Sequence, residues 1–464
     1  MISYRYRVYF TPLSDNDGSI YGDEIDVSDR VEISGIGSIK KGIDAADYQV
    51  GVFYFQDIVL KAFNYNGYFN DGDDTRSIFS STRDRCKVRI VYEEVLITRN
   101  NNGTQVGDAT VLQTSTFMGI INEEGTRLDP TTDAISFLVL SLDSVLRTTT
   151  VSGGLINNGD LASDAIFAIL NQPRITSVLT LSALNINPDY DFIIDDATDL
   201  TNTSVKEALD NILKAANSIL FINRSNEIIV KDRTEDTIKP IINLYGKSDE
   251  HGRENIIKIK DYNSGLHRTI TAFRINDTLS EDAGFSQSYG YREKGFDFNF
   301  ITNPDTEATI GERFLSDFSS PKIELIVEVP TRVVKDVEPL DRVSINYPLR
   351  VTPPPGNNPK YFLPVIGITE IGDTEMPLPY VFGSVSIMPN IGFKVVEIVE
   401  NPKDFTSSIK LRQIGPLVFN TPNNCIVGYA KIDEAVICVG GTPCDTYERS
   451  VIGAAKIGCS ILNL

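Results

Sequence analysis

The sequence predicts a β-rich α+β chain: two long β-rich halves split by a helix-plus-hairpin module, followed by a short C-terminal β extension. Three observations predict it. Runs rich in Val, Ile, Phe, Tyr and Thr, separated by turn clusters, fill residues 1–148 and recur over 236–415. Between them, TNTSVKEALDNILKAANSILFINRSNEIIVKDR at 201–233 changes from helical to strand periodicity. Beyond 415, a short motif occurs twice. The expected domains are therefore 1–148, 149–235, 236–415 and 416–464. At 464 residues, this length suits about three domains of ~150 residues and needs no staples.

In the first half the strand patterns are Tyr4–Phe10, Val31–Ile33, Gly51–Phe63, Cys86–Tyr92, Val111–Ile121 and Ala134–Leu142. SDNDGS at 14–19, NGYFNDGDD at 66–74 and NNNG at 100–103 supply the Asn-Gly and Asp-Gly pairs that tolerate positive φ. A single β-barrel or sandwich satisfies such a series of strands.

The middle module opens after GGLINNG with a short stripe of Leu161, Ala165, Ile166, Ile169 and Leu170, which Pro173 is expected to stop. A second helix starts at Ser204, three residues before Glu207, the capping-box spacing. Val205, Ala208, Leu209, Ile212, Leu213 and Ala216 then form one apolar stripe, with Lys206, Asp210 and Lys214 off it. Ile219–Ile222 and Ile228–Val230, on either side of Asn223–Asn226, read as a hairpin.

The second β-rich half begins near Ile238. It holds a hairpin-like run over Asn255–Phe273, a helix over Thr306–Phe318 with Ile310, Phe314 and Phe318 on one face, and a strand in which Ile323, Leu325, Val327 and Val329 alternate with their neighbours. Val343–Tyr347, Val395–Val399 and Ile409–Leu411 add strands. The prolines of VTPPPGNNPKYFLP at 351–364 forbid a regular ladder and suggest a projecting loop.

The helix-to-hairpin unit, VEPLDRVSINYP at Val337–Pro348 and FKVVEIVENPKDFTSSIKLRQIG at Phe393–Gly415, taken in that order, resemble the baseplate-hub proteins of phage tails and contractile injection systems. The resemblance covers roughly residues 1–415. It implies two tube-like β-barrel domains with the α+β module inserted, arranged as a homotrimer whose six barrels match a sixfold tail tube. It further implies a tail-tube or distal-tail protein above, a tip, fibre or spike protein below, and a place in the virion after assembly in the bacterial cytoplasm. A tape-measure protein in the lumen and transient contact with the host envelope remain open as partners. A hexameric distal-tail adaptor ring and a receptor- or glycan-binding adhesin are the alternatives.

IVGYAKIDEAVI at 426–437 and VIGAAKIGCSIL at 451–462 superpose Gly428 on Gly453, Ala430 on Ala455, Lys431 on Lys456 and Ile432 on Ile457. Two copies fall short of a solenoid. The segment reads either as a seal or anchor at a tail tip or as an ordinary terminal hairpin. Cys425, Cys438, Cys444 and Cys459 fall here without any C-x-x-C. Buried reduced thiols are the favoured reading, with a disulfide and a metal as the others.

Sixty-three acidic against 43 basic residues give a net charge of −20, which argues against specific nucleic-acid binding yet suits a bore through which DNA slides without sticking. The apolar fraction of 41% excludes a largely disordered chain. MISYRYRVYF lacks the apolar stretch of a signal peptide, and no apolar run reaches membrane-spanning length. Catalysis finds no support. His251 and His267 make no triad, the common hydrolase and nucleotide-binding fingerprints are missing, and Asp195–Asp196 reads as a solvated turn. NDGDD at 70–74 lacks the calcium-loop pattern. No catalytic, cofactor-binding or metal residue is expected, and no cofactor. Nineteen tyrosines without a single Trp leave the adhesin alternative standing.

Overall fold

A computed structural model of the chain describes residues 2–14, 21–42, 51–70, 74–79, 82–97, 102, 109–233, 242–246, 255–263, 269–319, 322–350, 384–387, 392–413, 456–457 and 460–461. It is β-rich α+β, with several antiparallel sheets. Two compact units are present: Met1–Ile241 with Ile257–Arg342 and Lys394–Arg412, and Ile242–Ile256 with Val343–Phe393 and Gln413–Leu464.

The strands of the first half are β1 (Ile2–Thr11), β2 (Ile25–Asp26), β3 (Val31–Ile36), β4 (Ile39–Gly42), β5 (Gly51–Val52), β6 (Tyr54–Phe55), β7 (Ile58–Phe63), β8 (Lys87–Leu96), β9 (Thr110–Asp129) and β10 (Ala134–Ser141). Seven of them form an antiparallel sheet in the order β2-β1-β8-β9-β10-β7-β3. Its two edge strands follow one another in the chain, joined only by the tight turn Ser28–Arg30, so the sheet curls around its own core. Alternate residues point inward, among them Tyr6, Val8 and Phe10 on β1 and Ile135, Phe137 and Val139 on β10, and they meet the loop residues Phe69 and Phe79. Gly119 on β9 belongs at this close packing, because a Cβ there would lie 2.3 Å from the Leu140 carbonyl oxygen.

The single strand expected over Gly51–Phe63 is instead three. The three serve different sheets: β7 stays in the curled sheet, β6 pairs with β4, and β5 leaves to pair in parallel with the central hairpin. Gly51 has φ +105° and sits where a Cβ would meet Asp210 Oδ1 at 2.6 Å, so the departure depends on a glycine.

The middle module holds α1 (Ser144–Thr148), α2 (Ala162–Leu170), α3 (Pro173–Thr176), β11 (Thr180–Leu184), α4 (Val205–Ala215), β12 (Ser218–Ile222) and β13 (Glu227–Asp232). The Ser204 side chain caps α4 by accepting from Glu207 N, and Val205, Ala208, Leu209, Ile212 and Leu213 are buried as the stripe requires. β12 and β13 form the expected hairpin within a four-stranded sheet ordered β11-β13-β12-β5. One detail differs from expectation: Leu161 is the exposed N-cap of α2 rather than part of its stripe. Helix α2 ends at Leu170, short of Pro173, which opens α3 at its first position, where the missing N–H costs nothing.

Strands β14 (Ile242–Tyr245), β15 (Lys258–Asn263), β16 (Ala272–Ile275), β17 (Thr278–Glu281), β18 (Glu293–Phe296), β19 (Glu324–Pro330), β20 (Arg342–Arg350), β21 (Ser384–Ile387), β22 (Gly392–Asn401) and β23 (Thr406–Gln413) follow, with helices α5 (Ala283–Tyr289), α6 (Pro304–Phe318) and α7 (Thr331–Val334). Within the first unit, β22, β23, β19 and β15 lie in that order, and β4 pairs with β22 from Glu397 to Glu400. The run Asn255–Phe273 is not a hairpin. β15 pairs with β19, whereas β16 turns at Asn276, φ +49°, to pair with β17. The local Asn-Asp turn prevails over the longer connection. Helix α6 starts two residues earlier than expected because Asn303 caps it by accepting from Asp305 N and Pro304 takes its first position.

One hydrophobic core runs from Leu142 and Leu146 through α2 and α4 to Phe273, Phe298, Phe314 and Phe318. The helical stripe of α4 is thus shared with segment 269–319 as well as with its own hairpin. In the second unit, β14 pairs in parallel with β20 at Ile242↔Val343, and β20 pairs with β21. The loop at 351–364, both histidines and Cys425, Cys438, Cys444 and Cys459 lie outside the described residues, as does most of the repeat at 426–462.

Candidate functional site

The chemistry concentrated inside this chain is charge buried at joints between elements. At the tip of the central hairpin, Arg224 N donates to Glu338 Oε1 at 3.2 Å, Nη1 to the Ser115 carbonyl at 3.3 Å and Nη2 to Glu400 Oε1 at 3.3 Å. Lys41 of β4 pairs with the other oxygen of Glu338. Ile39, Phe55 and Ile398 enclose the group and leave about 10 Å³, no room for a ligand. Burial pushes the Glu400 carboxyl up and the Lys41 ammonium down, each restrained by its opposite charge. The network joins β4, the hairpin, the segment after α7 and β22, so it fixes how the sheets meet.

A second network lies at the end of β13. Arg233 and Lys322 both pair with Asp317, and Arg233 Nε donates to Asn217 Oδ1 at 3.1 Å. Although burial opposes ionisation of Asp317, Arg233 and Lys322 hold its carboxyl far below the usual range. The Arg412 guanidinium stacks over Phe318 at 4.5 Å.

Between the turn Pro188–Tyr190 and the first turns of α6 lies a cleft of about 230 Å³. Asp189, Asp191 and Asp305 line it beside Thr309, with Arg313 as its cation. Asp191 is occupied by Ser163, whose N and Oγ donate to it at 2.8 and 2.6 Å. Arg313 is 7% exposed; its Nη2 donates to the Lys214 carbonyl at 3.2 Å and the Tyr190 ring covers it at 4.7 Å. Its Nε and Nη1 have no hydrogen-bond partner. Burial, with Arg233 nearby, brings the guanidinium down to about 9.

The carboxylates considered at the sequence level have structural duties. Asp195 Oδ2 accepts from Thr302 N at 2.6 Å and Asn303 N at 3.1 Å, while Asp196 accepts from Thr198 N at 2.9 Å. These are turn and cap contacts that tie 195–196 to the entrance of α6. Asp74 accepts from Asn70 Nδ2 and from Arg76 Nε and Nη2, closing the turn after Asn66. Among the described residues, no group of three or more His, Cys, Asp or Glu is placed to hold a metal ion. Sequence reasoning missed Arg224, Glu338, Glu400 and Arg313. The available signal was charge inside strand or helix patterns that otherwise read as buried, as with Glu400 in VVEIVE and Arg313 beside Phe314.

No protein-family model matches the chain, and no curated protein matches it. Among solved structures, the chain is similar to the tail protein from Neisseria meningitidis MC58, with 12% identity, 88% of this chain and 96% of that one covered, and a TM-score of 0.48. It is also similar to the 43 kDa tail protein of prophage MuSo2 from Shewanella oneidensis, with 10% identity, 88% and 97% coverage, and a TM-score of 0.46.

Proposed function

We propose that the chain is a structural, non-enzymatic protein of a phage tail, acting as the central baseplate hub at the tail tip. In this reading three copies form a ring in which two tube-like barrels per chain alternate, adapting the sixfold tube above to a threefold tip below and lining the channel for the genome. The observation that carries it is the presence, in one chain, of a curled seven-stranded sheet and a second sheet built on β15, β19, β22 and β23, with the helix-plus-hairpin module between them in sequence and β4 of the first half added to the second sheet. The order of motifs quoted from the sequence supports the same reading. The Arg224 and Arg233 networks suit a ring component that must hold its shape under force, since networks of this kind resist sliding of one element on another. The excess of 20 negative charges suits a bore that must release DNA. The segment beyond 415, with its doubled motif, closes the narrow end or anchors the next tip protein.

Quantitative mass spectrometry of purified particles tests this directly by the ratio of this chain to the tube protein. Three copies per particle support the hub, and six copies per particle support the distal-tail adaptor. A copy number unrelated to either, together with release of the chain by soluble glycans, would favour the adhesin.

A further inference from the structure

We propose that the cleft between the Pro188–Tyr190 turn and α6 receives a segment of a partner protein that carries a carboxylate next to a cation, the carboxylate directed to Arg313 and the cation to Asp189 and Asp305. An arginine only 7% exposed, with both Nε and Nη1 unpartnered, calls for an acceptor that the chain does not itself supply. The cleft wall around it disfavours two other ligand classes. Phosphates of a nucleic acid would meet Asp189, Asp191 and Asp305, and a lone cation would face Arg313. Asp191 is already taken by Ser163, whereas Asp189 and Asp305 are both exposed at the rim. A paired acid and base satisfies both the floor and the rim, and about 230 Å³ is room for one long side chain rather than a folded element. Tyr190, stacked on the guanidinium, stands in a three-residue turn capped by Asn187; Nε and Nη1 are buried beneath it, so the proposed contact requires that turn to move aside.

Only the identity of the partner as a neighbouring tail protein rests on the function proposed above. The test uses the isolated full-length chain, so it can fail while a three-copy particle stands, and the reverse. The chain is labelled with ¹⁵N-arginine and the Arg313 Nε–H signal is assigned by its loss in Arg313→Lys. The probe is the blocked tetrapeptide acetyl-Ala-Glu-Lys-Ala-amide. A saturable shift of the Arg313 signal is expected, absent with the Gln-Lys analogue. Should Arg313→Lys fail to fold, the signal is assigned by its proximity to Tyr190, and the double variant Asp189→Asn/Asp305→Asn carries the test, since both residues are exposed. It should keep the fold and lower the affinity about fivefold, the scale of one exposed ion pair. No saturable shift with the Glu-Lys peptide, an equal shift with the Gln-Lys peptide, or unchanged affinity in the double variant overturns the proposal.

Discussion

Arg224 and Glu400 stand 176 positions apart in the chain and meet at 3.3 Å, Nη2 to Oε1, with the Glu400 side chain only 5% exposed. The hairpin tip is thereby fastened to β22, and through Glu338 to Lys41 of β4. Removing the arginine leaves Glu400 without its main counter-charge, while Glu338 keeps Lys41, and a buried carboxylate left in this way costs more than the lost contact itself. Arg224→Met should therefore destabilise the chain by about 3–5 kcal/mol. Adding Glu400→Gln to Arg224→Met should return part of that loss. Urea denaturation of the single and double variants measures both, and equal midpoints for wild type and Arg224→Met would show the network to be ornamental.

Leu209 is fully buried where α4 meets the shared core. Leu209→Ala opens a cavity among α1, α2 and the central sheet and should cost about 2–5 kcal/mol. Calorimetry checks the value, and incorporation into particles should fall in parallel with it.

Asp143 gives a pH dependence with a defined sign. Its carboxyl, 3% exposed, is pushed up to about 6 by burial, against the opposing bond from Ser141 Oγ and the charge of Arg147. The folded chain then keeps a proton that the unfolded chain releases above its ordinary value of 3.8. This contribution is present at low pH and is lost as pH rises from about 4 through 6, on the order of 2–3 kcal/mol in all. Asp143→Asn should remove this part of the slope. Stability curves at pH 4.5 and 7 for both chains check it: the Asn variant gains relative to wild type as pH rises, and a gap that does not change with pH would contradict the assignment.

Much of the fold was legible because it is encoded locally. The Ser204–Glu207 spacing and the stripe from Val205 to Leu213 are decided within three turns of helix, and the alternation at Ile323, Leu325, Val327 and Val329 within one strand. The breaks were harder to read. Nothing in the apolar run Gly51–Phe63 marks that its first residues pair with β12 and β4, because Gly51 and Val52 are claimed by Ile219 and Leu220 far along the chain, and β4 is itself placed by β22. The short β11, largely exposed, takes its strand pairing from β13. The buried charges were illegible for the same reason. Arg224 lies in a polar turn, and only the folded chain brings Glu338 and Glu400 to it.

In the proposed arrangement three copies surround one axis, each contributing two barrel positions. A reconstruction of the native tail tip by cryo-electron microscopy, averaged without imposed symmetry, is the decisive measurement. Threefold density is expected at this level, in which six barrel-sized lobes surround the channel and belong alternately to the first and second sheets of each chain. Six identical copies, or a chain placed outside the channel wall, would contradict it.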